Sequence, residues 1–241
     1  MGIYNLAYQI VTIPVLKINP IVTRVAFPVF AKNKYENSVI REGFLNMTKM
    51  LALVSFPLLI GLVSVSDAFI TAVFGEKWLA AVPILNVLAI VGILRVLMNP
   101  NGSVLLAKGR ADLAFYWDSG VLPLYGLSLF AAVQTGSLLT VAWVYAIISV
   151  VNFLIGRWLL AYVIKLNLSA YFQSIMKPFL ITAADGHHRV WCKPQYRTLQ
   201  YAGRNAAFTI SVATGALCYL FLLVKAYPQT KSKLLRKGRL S

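Results

Sequence analysis

Five side chains could do chemistry here, because of where they sit. Lys17, Asn19 and Arg24 lie near the middle of an apolar run over residues 2–31, and Arg95 and Asn99 lie within a second such run. A cation at membrane depth is costly, so it faces a bundle interior or a watery cavity. Lys17 and Arg24 are seven apart, two helical turns, and share one face. Arg95 and Asn99 are four apart and share another. Guanidinium and ammonium groups in a low-dielectric cavity attract phosphate, and Arg can hold it with two parallel bonds. Asn side chains and the backbone freed by a proline offer hydrogen bonds to hydroxyls. The alternative is a tilted span whose Lys and Arg snorkel to an interface.

The elements that must position these groups are long apolar helices. Of 241 residues, 59% are hydrophobic and 12% charged, half the charge of a typical soluble domain. The sequence predicts an all-α, polytopic transmembrane helix bundle. Expected spans are 2–31, 45–66, 82–107, 113–133 and 138–162, with a partial one at 171–184. Pro14, Pro20 and Pro28 fall in the first span and should bend it. The third either kinks at Pro100 or ends there and re-enters. Lys32, Lys34, Arg41, Lys108, Arg110 and Lys165 fall in alternate connections, with Lys77 alone on the other side. That is the positive-inside pattern, with residue 1 outside. Arg157, near the end of the fifth span, is expected to snorkel inward.

The pattern breaks after 184. Residues 185–205 are polar and aperiodic, and hold His187, His188, Cys192 and four cations. Residues 206–224 form a clean apolar span, and 225–241 a basic tail. Either the insert or the tail must lie outside against the charge rule. A local reading-frame change would explain 185–205, and a re-entrant or interfacial hairpin is the ordinary alternative.

Several classes are poorly supported. The chain has seven carboxylates, scattered, so no paired acid–base site is expected and no catalytic residue is assigned. The two histidines are adjacent and lack a third ligand, so neither metal nor cofactor is expected. The formal charge of +16 is carried between apolar runs rather than on one polar face, which argues against nucleic acid and for anionic lipid headgroups. An anionic, sugar-bearing lipid suits the remaining inventory. A cation-coupled exporter would want membrane carboxylates, and Asp118 is the sole candidate.

The residues also carry a resemblance. Tyr4, Asn5, Leu6 and Ala7, then Pro14, Lys17, Asn19, Pro20, Arg24 and Pro28, resemble the C-terminal half of bacterial polysaccharide flippases of the colanic-acid or O-antigen type. These belong to the multidrug/oligosaccharidyl-lipid/polysaccharide exporter superfamily. Phe74-Gly75-Glu76-Lys77-Trp78, Gly92 to Arg95, Asn99 to Ser103 and Lys108 to Asp112 extend the likeness. It covers about 1–180, returns at 209–224 and departs at 185–205. The resemblance implies one of two helix bundles around a cavity alternately open to each side. It implies translocation of undecaprenyl-pyrophosphate-linked repeat units in the bacterial inner (plasma) membrane. Membrane lipids and the polysaccharide polymerase machinery are the further partners, and Lys17, Asn19, Arg24, Arg95 and Asn99 the substrate-binding residues. A small-molecule exporter of the same superfamily and a non-functional membrane remnant are the other readings.

Overall fold

A computed structural model describes the backbone of residues 2–191, without the side chains of 14, 18–23, 25, 181 and 183–191. The expected helix at 206–224, the basic tail at 225–241 and the end of the 185–205 insert lie outside the described residues. The order is α1 (Gly2–Lys32), α2 (Asn37–Ser64), α3 (Ser66–Val73), a 3-10 turn (Glu76–Ala81), α4 (Val82–Ala107), α5 (Ala111–Val133), α6 (Leu138–Ile164) and α7 (Leu168–Trp191). Among the described residues there is no strand. Among the described residues, three segments are long and apolar enough to cross a membrane: Asn37–Ser64, Glu76–Ala107 and Leu138–Ile164.

The helix ends follow local chemistry. Pro83 stands in the first turn of α4, where its missing N–H costs nothing. The Ser137 hydroxyl caps α6 by accepting from the Thr140 N–H, and Lys165 ends it in the left-handed conformation. Pro100 sits inside a continuous α4, so the chain does not re-enter at Asn99. The polar stretch before residue 45 is the start of α2. Its charged residues hide a buried stripe of Ile40, Phe44 and Thr48 at helical spacing. The helix over 171–184 is also longer than its apolar part, because α7 continues to Trp191.

The core has two levels. At one end Ala7 and Val11 of α1 meet Leu59 of α2, Leu85 and Leu88 of α4 and Ala142 and Tyr145 of α6. At the other, Phe30 meets Phe44, Val104, Leu160 and Tyr171. Val15, Leu51 and Val96 form a third, smaller cluster. Early residues of α1 therefore meet early residues of α4 and late meet late, so these two helices run parallel in direct contact, and α2 packs on α4 running the opposite way. The turns bearing Lys34, Lys108 and Lys165 all fall at the second level, hereafter the basic end.

Small residues set the closest approaches. A Cβ added at Gly92 would lie 2.6 Å from Val11 Cγ1 and 3.1 Å from Leu59 Cδ1. Membrane helices use such residues to bring backbones together. Gly92→Ala is expected to destabilise the bundle by about 1–2 kcal/mol, since overpacking outweighs the gain of about 1 kcal/mol in helix propensity. Thermal unfolding in detergent checks this, and an unchanged midpoint would contradict the α1–α4 contact.

Candidate functional site

Arg95 is the predicted residue around which a site is built. It points from α4 toward α1 and α6, and Nη1 donates to the Tyr8 hydroxyl at 3.0 Å. Its guanidinium carbon lies 5.8 Å from the centroid of the Tyr8 ring and 5.8 Å from that of Tyr145. Each ring contributes about 0.5–2 kcal/mol of cation–π attraction. Tyr4, one turn before Tyr8, stacks on it at 6.5 Å. Tyr125 of α5 packs on Tyr145 at 5.5 Å and bonds Ser149 through its hydroxyl at 3.0 Å. Ser149 in turn donates to the Tyr145 carbonyl, 2.7 Å away. Four tyrosines from three helices thus form a shell around one cation. Among the described residues no carboxylate is bonded to Arg95.

The shell borders open space. A cavity of about 670 Å³ lies between the start of α1, the end of α5 and the start of α6, lined by Tyr4, Asn5, Tyr8, Ser137 and Leu138 among others. This is within the range of small-molecule sites. Arg95 does not itself line this cavity: it lines the adjoining crevice, and Tyr8, which bonds it, is the residue common to both. The cavity sits away from the basic end. A cation in the crevice and hydroxyl-bearing rings in the cavity can bind an anionic group and, beside it, a ring carrying hydroxyls. No nucleophile–base pair is present there for covalent chemistry.

The other predicted residues are arranged differently. Lys17 and Arg24 are exposed on α1. The buried stripe of α1 is Ala7, Val11, Val15, Ala26 and Phe30. At 100° per residue, both cations project from the side opposite that stripe. They therefore face away from this bundle and do not converge on Arg95. The side chain of Asn19 is not described, and Asn99 is half-buried on α4.

One expectation is overturned. Arg157 does not snorkel: it is 1% exposed. Its Nη2 donates to Asn101 Oδ1 of α4. The guanidinium carbon lies 4.6 Å from the Tyr171 ring centroid, 5.0 Å from Phe153 and 5.3 Å from Phe44. Three helices and α7 therefore close over it, and Nε and Nη1 have no hydrogen-bond partner. The only signal in the sequence was polar company in apolar surroundings. Asn152 precedes Arg157 on α6 and takes the Trp117 indole N–H at 2.7 Å, and Asn101 stands in α4. Position near a span's end suggested the interface, but tertiary packing put the residue inside.

Comparison with known proteins tests the resemblance. A family described as polysaccharide biosynthesis protein matches residues 1–83. The chain is 89% identical over 243 residues to the teichuronic acid biosynthesis protein TuaB of Bacillus subtilis (strain 168), covering 100% of this chain and 50% of that protein. It is 34% identical over 182 residues to the lipopolysaccharide biosynthesis protein WzxC of Escherichia coli (strain K12), covering 75% and 37%. With the amylovoran biosynthesis protein AmsL of Erwinia amylovora the identity is 25% over 118 residues, covering 49% and 30%. No solved structure matches the chain significantly. The chain spans half or less of the length of these relatives. The resemblance of the chain to bacterial polysaccharide biosynthesis proteins therefore holds, with residues 1–83 matched by the family of that description.

Proposed function

We propose that this chain is the C-terminal bundle of a multi-pass transporter in the bacterial inner (plasma) membrane, which flips lipid-linked polysaccharide repeat units from one leaflet to the other. The observation that carries this reading is Arg95, held by Tyr8 and Tyr145 beside a cavity of about 670 Å³. The guanidinium presents fork-like donors to a pyrophosphate. The tyrosine rings offer flat faces to the C–H faces of sugars, and their hydroxyls offer hydrogen bonds. Lys17 and Arg24 face the space where a second bundle would stand, so both walls of the passage would be cationic. Asn99, half-buried on the same helix as Arg95, supplies an amide group to that path.

The relatives' names support the substrate class, since teichuronic acid, lipopolysaccharide and amylovoran are all polysaccharides or contain them. Residues 1–184 form the bundle in this reading, 185–205 an atypical polar insert, 206–224 a further helix and 225–241 a basic tail. Flipping makes and breaks no covalent bond in the substrate, so the protein is a transporter rather than an enzyme and uses no cofactor. The lipid-linked oligosaccharide is its substrate, and the polymerase machinery receives the product.

Deleting the gene in its native host tests this. The expected result is accumulation of lipid-linked repeat units in the cytoplasmic leaflet with loss of surface polymer. Unchanged polymer together with increased sensitivity to small toxic compounds would instead establish the exporter reading. Unchanged polymer and unchanged sensitivity would leave the chain a membrane remnant.

A further inference from the structure

The turns at the basic end build a second cavity, distinct from the Arg95 site. It measures about 570 Å³ and is lined by Lys34, Asn37, Lys108, Arg110 and Tyr162, among others. Three separated stretches form it: the α1–α2 turn, the α4–α5 turn and the last turns of α6. They are locked together. Lys108 Nζ donates to the Lys34 carbonyl at 2.6 Å. The Lys34 ammonium lies over Gly109, 3.3 Å from where a Cβ would stand.

The charge balance of this cavity is incomplete. Arg110 is offset by its own Asp112, at 3.1 Å, and that bond holds the Asp112 carboxyl below its ordinary range. Lys34 and Lys108 have no carboxylate among the described residues. Two ammonium groups and a guanidinium held around one hollow repel each other, and an anion seated among them removes that cost. The depth is also specific. Arg95 lies 13 residues before Lys108 on α4, about 20 Å along the axis. The cavity therefore lies at the ends of α4 and α6, two helices long and apolar enough to cross a membrane. Tyr35 and Tyr162 stand exposed beside it, as aromatic side chains do at headgroup level.

We propose that this cavity binds the phosphate of an anionic membrane lipid, drawn from the leaflet at the basic end. Lys34 and Lys108 supply the charge, Arg110 a directed N–H, and the bound headgroup ties the α1–α2 turn to the α4–α5 turn. The inference does not depend on the transport reading, because neither lysine belongs to the Arg95 site.

Titrating phosphatidylglycerol onto the full chain in neutral detergent, read by native mass spectrometry, tests it. A basic residue at a membrane surface contributes about 1 kcal/mol, or about fivefold in affinity. Lys34→Gln should weaken binding about fivefold and Lys34→Gln/Lys108→Gln about 25-fold. Lys34→Arg should bind as wild type. Lys34→Gln leaves the Lys108 bond to the Lys34 backbone in place, so its unfolding midpoint without lipid should be unchanged. Lys165→Gln, at the same end but outside the lining, should have no effect. Equal weakening by Lys165→Gln, or undiminished binding by the double variant, overturns the site. Displacement of the lipid by millimolar inorganic phosphate would assign the cavity to a free anion and overturn the lipid source.

Discussion

If the proposed transport function holds, replacing Arg95 by alanine is expected to reduce surface polymer about 10- to 100-fold while leaving the protein in the membrane at normal abundance. The magnitude follows from losing a charge-assisted contact of about 1.5–3 kcal/mol to the substrate's phosphate. Arg95→Lys should recover part of the loss, because it keeps the charge but not the fork. Tyr8→Phe removes the 3.0 Å hydrogen bond and keeps the ring face, so its defect should be smaller than that of Arg95→Ala. Polymer yield normalised to membrane protein is the readout. Wild-type yield from Arg95→Ala would separate this residue from transport, and loss of the protein itself would make Arg95 a packing residue. The tyrosine shell argues against that second outcome, since the guanidinium is open on one side rather than enclosed.

The second large effect concerns stability and comes from Arg157. Asn101 Oδ1 is its directed acceptor, and aromatic rings fill the rest of the cage. Asn101→Ala is expected to destabilise the bundle by about 2–3 kcal/mol, because a buried charge loses its hydrogen bond. Arg157→Met should be near neutral or stabilising. The thioether fills the space between Phe44, Phe153 and Tyr171, and no buried charge remains to be satisfied. The double variant Asn101→Ala/Arg157→Met should therefore be more stable than Asn101→Ala alone. Thermal unfolding of the four proteins of this cycle in one detergent checks the sign. An additive result would mean that the two side chains do not interact in the membrane protein.

These two arginines mark what could be read from the sequence and what could not. The all-α membrane class was legible, because scarcity of charge and long apolar runs leave few alternatives. The bounds of α4 were legible as an apolar run over 82–107, although a break at Pro100 stayed open and only the structure shows the helix continuous there. The start of α2 was not, since charged residues at its exposed positions masked the Ile40–Phe44–Thr48 stripe. Arg95 could be picked out because a cation in mid-span has few reasons to be there. Its tyrosines could not, since Tyr4, Tyr8, Tyr125 and Tyr145 come from three helices whose meeting is a tertiary fact. Arg157 was misread for the same reason: a snorkelling cation and a caged one look identical in one helix. Lys17 and Arg24 were read as sharing a face with each other, and they do. Their separation from Arg95 depends on which side of α1 packs against α4, set by Ala7, Val11 and Val15.

We propose that the tyrosine-lined cavity beside Arg95 receives a phosphate-bearing glycolipid. Photocrosslinking in native membranes measures this most directly, using the full-length transporter and a lipid-pyrophosphate oligosaccharide with a photoreactive group on its first sugar. Adducts are expected at Tyr4, Asn5, Tyr8 and Ser137 and should be lost on Arg95→Ala. Adducts confined to the exposed outer side of α5, at Leu122, Leu127 and Phe130, and indifferent to Arg95, would contradict it.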